Sequence, residues 1–168
     1  MELRPFADSD ADAVCELFVR VNRLLAPASM AKAFEDYVAL AIREEIGRVE
    51  AYYREHLGGF WVAVDGDKLV GMFGLEPASG MAMELRRMYV DPDFRRRGIA
   101  RALLHFAENE CRRRGCSRME LSTSDLQQEA LAFYQASGYW LVREEIAASA
   151  GNKTVGGGIR RYHFSKHL

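Results

Sequence analysis

The sequence predicts an α+β protein with a central mixed β-sheet, mostly antiparallel, flanked by helices. Two apolar runs, 60–64 and 68–75, flank Asp65-Gly66-Asp67, a pattern typical of a tight β-hairpin. In several other segments apolar residues recur every three or four positions, as they do in amphipathic helices. The chain has 168 residues and no internal repeat, so we expect a single domain over residues 1–168.

The remaining elements follow from capping residues, helix-breaking residues and apolar spacing. In the first half they are a strand at 2–6, a helix capped by Asp8 or Asp10, a break at 24–30, a helical stretch at about 31–56 that Gly47 interrupts, and a third meander strand at 83–90. In the second half they are a helix at about 98–114, a strand at 118–122, a helix at 126–137, strands at 139–142 and 159–164, and a flexible glycine-rich loop at 147–158.

The strand at 83–90 has an irregular apolar pattern. Leu85 and Met88 are three positions apart, whereas a half-buried strand alternates with a period of two. One extra residue near Arg86 or Arg87 would restore the alternation, so we predict a β-bulge there. Bulges splay neighbouring strands and leave backbone N–H groups free, often beside active sites.

The segment Arg95-Arg96-Arg97-Gly98-Ile99-Ala100-Arg101 connects this strand to the next helix. The first N–H groups of a helix have no partner within it, and the helix dipole favours an anion there. Gly98 would let a phosphate approach the backbone, and Ala100 keeps the next turn slim. The segment predicts a phosphate site, while a solvated basic helix start is the alternative that these residues leave open.

Two segments of the chain resemble motifs of one protein family. Residues 83–104 are similar to motif A of the GNAT superfamily of acetyl-CoA-dependent N-acetyltransferases, a bulged strand followed by Arg/Gln-x-x-Gly-x-Gly/Ala, here Arg95 to Ala100. Residues 127–139 resemble motif B, with Ala130, Phe133-Tyr134 and Gly138-Tyr139 at its positions. The resemblance spans nearly the whole chain and implies a three-layer fold, with a splay between the motif A strand and the next strand.

The resemblance also implies that acetyl-CoA is the co-substrate. Backbone N–H groups from about Arg96 to Arg101 would hold the pyrophosphate, and the exposed strand edge at Met88 and Val90 would pair with the pantetheine amides. The family often has glycine where this chain has Arg96, and arginine there implies ordinary backbone angles. The residues assigned to coenzyme A are Met88, Val90, Arg95, Arg96, Arg97, Gly98, Ile99, Ala100, Arg101, Gln127 and Tyr134.

Two catalytic residues follow from the same resemblance. Tyr134 stands where the family keeps a general acid, because a neutral phenol can protonate a leaving thiolate; the alternative is a tyrosine that packs under the sheet. Glu84 stands where several relatives place a glutamate that removes the amine proton through water. The alternative is that the Glu84 carboxylate only pairs with Arg86 or Arg118. A water chain would then remove the amine proton, or the amine would bind already neutral. Gln127 replaces an asparagine that contacts the cofactor.

Composition restricts the partners. The formal net charge is −1, which argues against nucleic-acid binding. Three cysteines form no C-x-x-C pair and no metal-ligand spacing with the histidines, which predicts reduced thiols, no metal and a cytoplasmic location. The acidic N-terminus predicts no signal peptide, and no apolar run is long enough to span a membrane.

We therefore expect an acetyltransferase that moves the acetyl group directly to a primary amine of a small molecule or peptide in a ternary complex. The acceptor would lie between residues 22–56 and the loop at 147–158, and the candidate wall side chains are Tyr37, Tyr52, Tyr53, His56 and Arg86. Alternatives are a non-catalytic acyl-CoA sensor, a transferase of another acyl group, and a phosphate- or nucleic-acid-binding module that uses the arginines. A homodimer is compatible with the sequence, which does not identify the acceptor.

Overall fold

Seven strands form one sheet in the structure, a computed structural model that describes residues 1–168. The strands are β1 (Glu2–Pro5), β2 (Gly59–Asp65), β3 (Lys68–Ala78), β4 (Ala82–Val90), β5 (Arg118–Ser124), β6 (Trp140–Ala147) and β7 (Ile159–His167). Their order across the sheet is β1-β2-β3-β4-β5-β7-β6. Only β4 and β5 pair in parallel, which confirms the mixed, mostly antiparallel sheet.

Five α-helices cover the two faces of this sheet. They are α1 (Ala11–Leu25), α2 (Ala31–Glu44), α3 (Val49–Glu55), α4 (Ile99–Arg113) and α5 (Gln128–Ala136). Strand β2 shows the alternation that fills both sides: Phe60 and Val62 pack against α1, α2 and α3, whereas Trp61 and Ala63 pack on the α4 side. The three-layer α+β prediction is therefore confirmed.

The predicted helical stretch at 31–56 divides at Gly47, as expected. A short 3₁₀ turn, Ile46–Arg48, separates α2 from α3. A Cβ atom at Gly47 would lie 2.7 Å from the carbonyl oxygen of Ile42, so only glycine lets the chain pass this closely. The division leaves Glu45 at the end of α2, facing the sheet.

The predicted cap of the first helix is wrong. Neither Asp8 nor Asp10 accepts a hydrogen bond from an N–H group of α1. The Asp10 carboxylate instead accepts two hydrogen bonds from the Arg4 guanidinium, both of 2.8 Å, and one from the backbone N–H of Ala7. A bidentate, charge-assisted pair is stronger than a single cap bond, so the carboxylate turns back towards β1.

The predicted β-bulge lies in β4. Met72 pairs with Tyr89 and Gly74 with Arg86, so that two residues of β4, Arg87 and Met88, lie opposite one residue of β3. Arg87 has a φ of 53°. The extra residue places the consecutive side chains of Arg86 and Arg87 on the same face of the sheet, where regular alternation would separate them.

The predicted splay begins directly before the bulge. β4 pairs with β5 from Ala82↔Arg118 to Leu85↔Leu121, and the pairing stops there. From Arg86 onwards the edge of β4 that faces β5 has no strand partner. The space between the diverging strands holds the candidate site.

Candidate functional site

The turn between β4 and α4 presents a row of free hydrogen-bond donors. None of the backbone N–H groups from Arg96 to Arg101 donates a hydrogen bond within the protein. Gly98 precedes α4 with a φ of 78°, and a Cβ atom there would have no contact within 4 Å. A phosphate group therefore meets open space and free N–H groups at the positive end of the α4 dipole.

Arg96 does not have ordinary backbone angles, so that expectation is wrong. Its φ is 61°, in the left-handed region, which typically destabilises a non-glycine residue by about 1–2 kcal/mol. Left-handed residues at 96 and 98 direct successive N–H groups to one side, an arrangement that forms anion-binding concavities. The strained conformation is thus what aligns the free donors of the turn.

The arginine side chains of the turn have different surroundings. Arg95, Arg96 and Arg101 line a cavity beside the turn, which we call the turn cavity; it also contains Val90, Gly98, Ile99 and Ala100. The Arg97 guanidinium lies over the Phe94 ring, 4.7 Å from its centroid, and does not line this cavity. Arg97 thus contributes its backbone N–H group to the turn rather than its charge to the cavity.

Past the bulge, the open edge of β4 carries backbone groups that face the splay. Asp91 donates its N–H to the carbonyl oxygen of Val70 on β3. Because successive N–H groups of a strand point to opposite sides, those of Val90 and Met88 point away from β3 and into the gap. The edge can thus pair with an extended, amide-rich ligand, as the sequence suggested.

Tyr134 lies on α5 at the centre of the splay. Its side chain is buried, and its hydroxyl is 4.0 Å from the Met88 sulfur. Burial, together with the nearby Tyr89, raises the pKa of Tyr134 above its usual value, so the phenol keeps its proton at neutral pH. A protonated hydroxyl beside the open edge of β4 is what a general acid requires.

Gln127 precedes α5 and is held by β5. Its carbonyl oxygen Oε1 accepts hydrogen bonds from the Thr123 hydroxyl, at 3.0 Å, and from the Ser124 N–H, at 3.3 Å. These bonds leave the amide NH₂ as the free group. Gln127 lines the gap beside Tyr134, so it is placed to donate to a ligand there.

Glu84 pairs with neither Arg86 nor Arg118, the two partners proposed for it. Its carboxylate instead forms an ion pair of 2.5 Å with Lys153, which belongs to the loop at 147–158. Arg118 pairs with Glu120. Glu84 faces the gap between β4 and β5 and is partly exposed, so water can reach its carboxylate.

Behind the gap lies a buried charge network that no sequence motif predicts. The Glu45 carboxylate, which is fully buried, accepts hydrogen bonds from Arg86 at 2.6 Å, from Arg87 at 2.8 Å and from the Tyr53 hydroxyl at 2.6 Å. Arg86 also pairs with Glu76 at 2.9 Å. Glu45 follows a helix and gives no motif signal; the two consecutive arginines at the predicted bulge were the available hint.

Burial by itself would raise the pKa of Glu45, but the charges and hydrogen bonds of Arg87 and Arg86 outweigh it and lower that pKa to about 2. The network also reaches the loop at 147–158, because Asn152 donates to Glu45 at 3.0 Å and accepts from Arg87 at 2.7 Å. The loop is thereby attached to the bulge from which the splay begins.

Three cavities meet in the splay. The turn cavity is the first; the splay cavity lies between β4 and β5; and the loop cavity lies beyond Lys153, beside β6 and β7. Met88 and Tyr134 line both the turn cavity and the splay cavity, whereas Glu84 and Lys153 line both the splay cavity and the loop cavity. A ligand on the turn and a second ligand from the loop side would therefore meet at Tyr134.

The side chains expected at the acceptor walls divide into two groups. Of the side chains proposed there, Tyr37 and Arg86 line the splay cavity. Tyr52, Tyr53 and His56 do not, because Tyr53 bonds to Glu45 and His56 stacks on Tyr52 beneath it. No group of three or more His, Cys, Asp or Glu side chains with the geometry to hold a metal ion is present.

Comparisons with known proteins agree with this geometry. The model of the acetyltransferase (GNAT) family matches residues 18–139. Among curated proteins, human N-acetyltransferase 8 is 32% identical over 114 residues, which are 64% of this chain and 50% of the human protein. The N-acetylaspartate synthetase of Danio rerio is 32% identical over 115 residues, 67% of this chain and 41% of that protein.

The chain thus spans about half the length of the curated relatives it matches. Among solved structures, a GNAT-family acetyltransferase from Staphylococcus aureus superimposes with a TM-score of 0.74 at 18% identity, covering 99% of this chain and 98% of that one. None of the helices is long and apolar enough to cross a membrane. The family match over most of the chain shows that this chain belongs to the GNAT family of acetyltransferases, and the fold and the donor-rich turn agree with that membership.

Proposed function

We propose that the protein transfers the acetyl group of acetyl-CoA directly to a primary amine of a small molecule or peptide, in a ternary complex. The observation that carries the proposal is the meeting of the turn cavity and the splay cavity at Met88 and Tyr134. Two ligands bound on the two sides of this point would hold their reacting atoms together, which supports direct transfer rather than a covalent acetyl-enzyme.

Acetyl-CoA would be held by the backbone of the turn and of the β4 edge. The free N–H groups from Arg96 to Arg101 would bind the pyrophosphate, and Met88 and Val90 would pair with the pantetheine amides. When bound, acetyl-CoA supplies the thioester that the amine attacks. An N–H group of β4 near Met88 would stabilise the negative charge that develops on the thioester oxygen.

The proton transfers assigned to the two catalytic residues balance. Glu84 removes one proton from the acceptor amine through water, so that the nitrogen lone pair is free to form the bond to the acetyl carbon. As the carbon–sulfur bond breaks, Tyr134 gives its proton to the departing sulfur, and the second proton of the nitrogen passes through water to restore the Tyr134 phenol. Glu84 then releases its proton to solvent, so that one proton leaves the site for each ammonium acetylated. The Glu84 carboxylate also pairs with Lys153, which attaches it to the loop at 147–158.

The names of the relatives favour a small acceptor. One of them is a synthetase of N-acetylaspartate, a small acetylated amino acid, and the others matched are N-acetyltransferases. The splay cavity and the loop cavity share Glu84 and Lys153 as lining residues, which supports entry of an acceptor from the loop side. The homodimer and the cytoplasmic location stay predictions.

Replacement of Tyr134 tests the assignment. Tyr134→Phe removes the acidic hydroxyl and keeps the ring, so we expect turnover to fall by about 10²–10⁴-fold while acetyl-CoA affinity stays within about two-fold. Tyr139→Phe is a matched control, because the Tyr139 hydroxyl bonds to Glu108 on α4, away from the gap. Thiol release over an amine panel measures turnover, and calorimetry measures binding; unchanged turnover in Tyr134→Phe would exclude the acid role.

The alternatives differ in the same two measurements. A non-catalytic sensor would bind acetyl-CoA without acetylating any amine, and a transferase of another acyl group would prefer a longer acyl-CoA. The protonated Tyr134 beside the open edge favours turnover over sensing.

A further inference from the structure

Arg161 on β7 is an unpaired cation in the splay cavity. Four cationic side chains line this cavity, namely Arg86, Arg87, Lys153 and Arg161. The first three form ion pairs with Glu45, Glu76 or Glu84. Arg161 has no carboxylate oxygen within 4.0 Å, so one positive charge in this cavity has no partner in the protein.

The Arg161 guanidinium uses few of its donors. Its hydrogen bond to a side chain is a 2.6 Å bond to the Ser122 hydroxyl, whereas a guanidinium carries five N–H donors. Its nitrogens are not among the sealed, unpartnered atoms of the protein, and the side chain lines both the splay cavity and the loop cavity. The remaining donors are thus accessible from the direction in which an acceptor would enter.

The neighbouring carboxylates are already committed to other cations. Glu84 pairs with Lys153, and Glu145, on the adjacent strand, pairs with His163 and Arg143. Burial lowers the pKa of Arg161, although a guanidinium still stays charged at neutral pH. A partly buried charge without a partner destabilises a fold, so such a residue is typical of a site that a ligand completes.

We propose that Arg161 binds a carboxylate of the acceptor, so that the substrate of this enzyme is an amine that also carries a carboxylate group. The inference rests on the proposed acetyl transfer and names the class of its acceptor. A guanidinium binds a carboxylate with two parallel hydrogen bonds, which would orient the acceptor as well as attract it. A single unpaired positive charge matches one carboxylate better than a phosphate monoester, which carries nearly two negative charges at neutral pH.

Matched acceptors test the proposal. The probes are the common α-amino acids and their α-carboxamides, compared by thiol release from acetyl-CoA. We expect kcat/KM to favour the acid over its amide by at least about ten-fold, and Arg161→Gln to abolish that preference with the KM for acetyl-CoA unchanged. Arg161→Lys should restore part of the preference, because it returns the charge without the two-pronged geometry.

Arg160→Gln is the matched control. Arg160 is the neighbouring residue of β7, and its side chain forms an exposed ion pair with Glu144 on the other side of the strand. We expect this variant to keep the preference of the wild type. Equal use of acid and amide by the wild type, or an equal fall for both in Arg161→Gln, would overturn the proposal.

Failure of the proposed acetyl transfer can be recognised separately. Calorimetric titration of the same acids and amides, with the protein saturated by desulfo-coenzyme A, measures acceptor binding without turnover. Binding of acids but not amides that is lost in Arg161→Gln supports the role of Arg161 even if no amine is acetylated, and its absence contradicts it. The melting temperature of Arg161→Gln should equal or exceed that of the wild type, whereas a purely structural arginine would lower it.

Discussion

At the scale of single residues, Glu45 determines how the site is supported. Its carboxylate lies between two arginine side chains that the bulge places on one face, and it also accepts from Tyr53. No local pattern marks Glu45 as important, since it follows an ordinary amphipathic helix. Its role arises from hydrogen bonds to Arg86 and Arg87, which follow it by 41 and 42 positions in the chain. Only folding brings these residues together.

Glu45→Gln should destabilise the protein strongly. The variant leaves Arg86 with Glu76 as its carboxylate partner and leaves the buried Arg87 without one. Breaking a buried ion pair of this kind typically lowers the free energy of unfolding by about 3–5 kcal/mol. Urea unfolding at pH 7 measures the change. Glu35→Gln is the control, because Glu35 forms a solvent-exposed pair with Arg23, and its replacement should change the free energy of unfolding far less. Similar values for the two variants would contradict this account.

At the scale of elements, the turn before α4 combines strain with free donors. Arg96 has a φ of 61°, whereas Arg95, one residue earlier, has a φ of −61°. Glycine adopts the left-handed conformation without strain but makes the unfolded chain more flexible. The same substitution should therefore have opposite effects at these two neighbouring positions.

We expect Arg96→Gly to raise the free energy of unfolding by up to about 1 kcal/mol, and Arg95→Gly to lower it by about 0.5–1 kcal/mol. Urea unfolding of the two variants in parallel measures the difference. Acetyl-CoA affinity should fall by less than about ten-fold in Arg96→Gly, because in the proposed binding mode backbone N–H groups rather than this side chain hold the pyrophosphate. A loss of stability in Arg96→Gly would show that its backbone is not strained.

The last two strands show where apolar patterns fail at this scale. β6 extends to Ala147 and β7 to His167, beyond the predicted ends at 142 and 164. The added pairs, such as Ile146↔Arg160 and Ala147↔Ile159, join an exposed edge strand to its neighbour. Because β6 has almost no buried side chain, hydrogen bonds and cross-strand charges stabilise it without leaving an alternating apolar pattern.

At the scale of the whole molecule, buried ion pairs make stability depend on pH. The pKa of Glu45 in the folded protein is about 2, below its ordinary value of 4.5, so its ionised form stabilises the fold above pH 4.5. That contribution is lost as the pH falls from about 4.5 to about 2, because protons then bind the unfolded chain more readily. We expect the stability difference between the wild type and Glu45→Gln to shrink across this range; a constant difference in urea unfolding from pH 7 to pH 3 would contradict this assignment.

Much of the fold and part of the site were predictable from the sequence. Hairpin, bulge, turn and α4 depend on neighbouring residues: glycine frees the backbone at positions 66 and 98, and the three-residue spacing of Leu85 and Met88 marks the bulge. Three predictions were wrong. The Asp10 carboxylate binds Arg4 instead of capping α1, and the Glu84 carboxylate binds Lys153 instead of Arg86 or Arg118. Arg96 has left-handed rather than ordinary backbone angles, because the turn before α4 requires them. The single domain over residues 1–168 stays a prediction.

The sequence by itself determined which family this chain belongs to and predicted a phosphate site at the turn before α4, because a helix start and its glycine are local features of the backbone. Only the tertiary structure decided what surrounds the acceptor. Lys153 reaches Glu84 across 69 residues, and the cavity at Arg161 exists because β4 and β5 diverge. Whether a charge is paired or free depends on which distant side chains share its cavity, and that information appears only when the chain is folded.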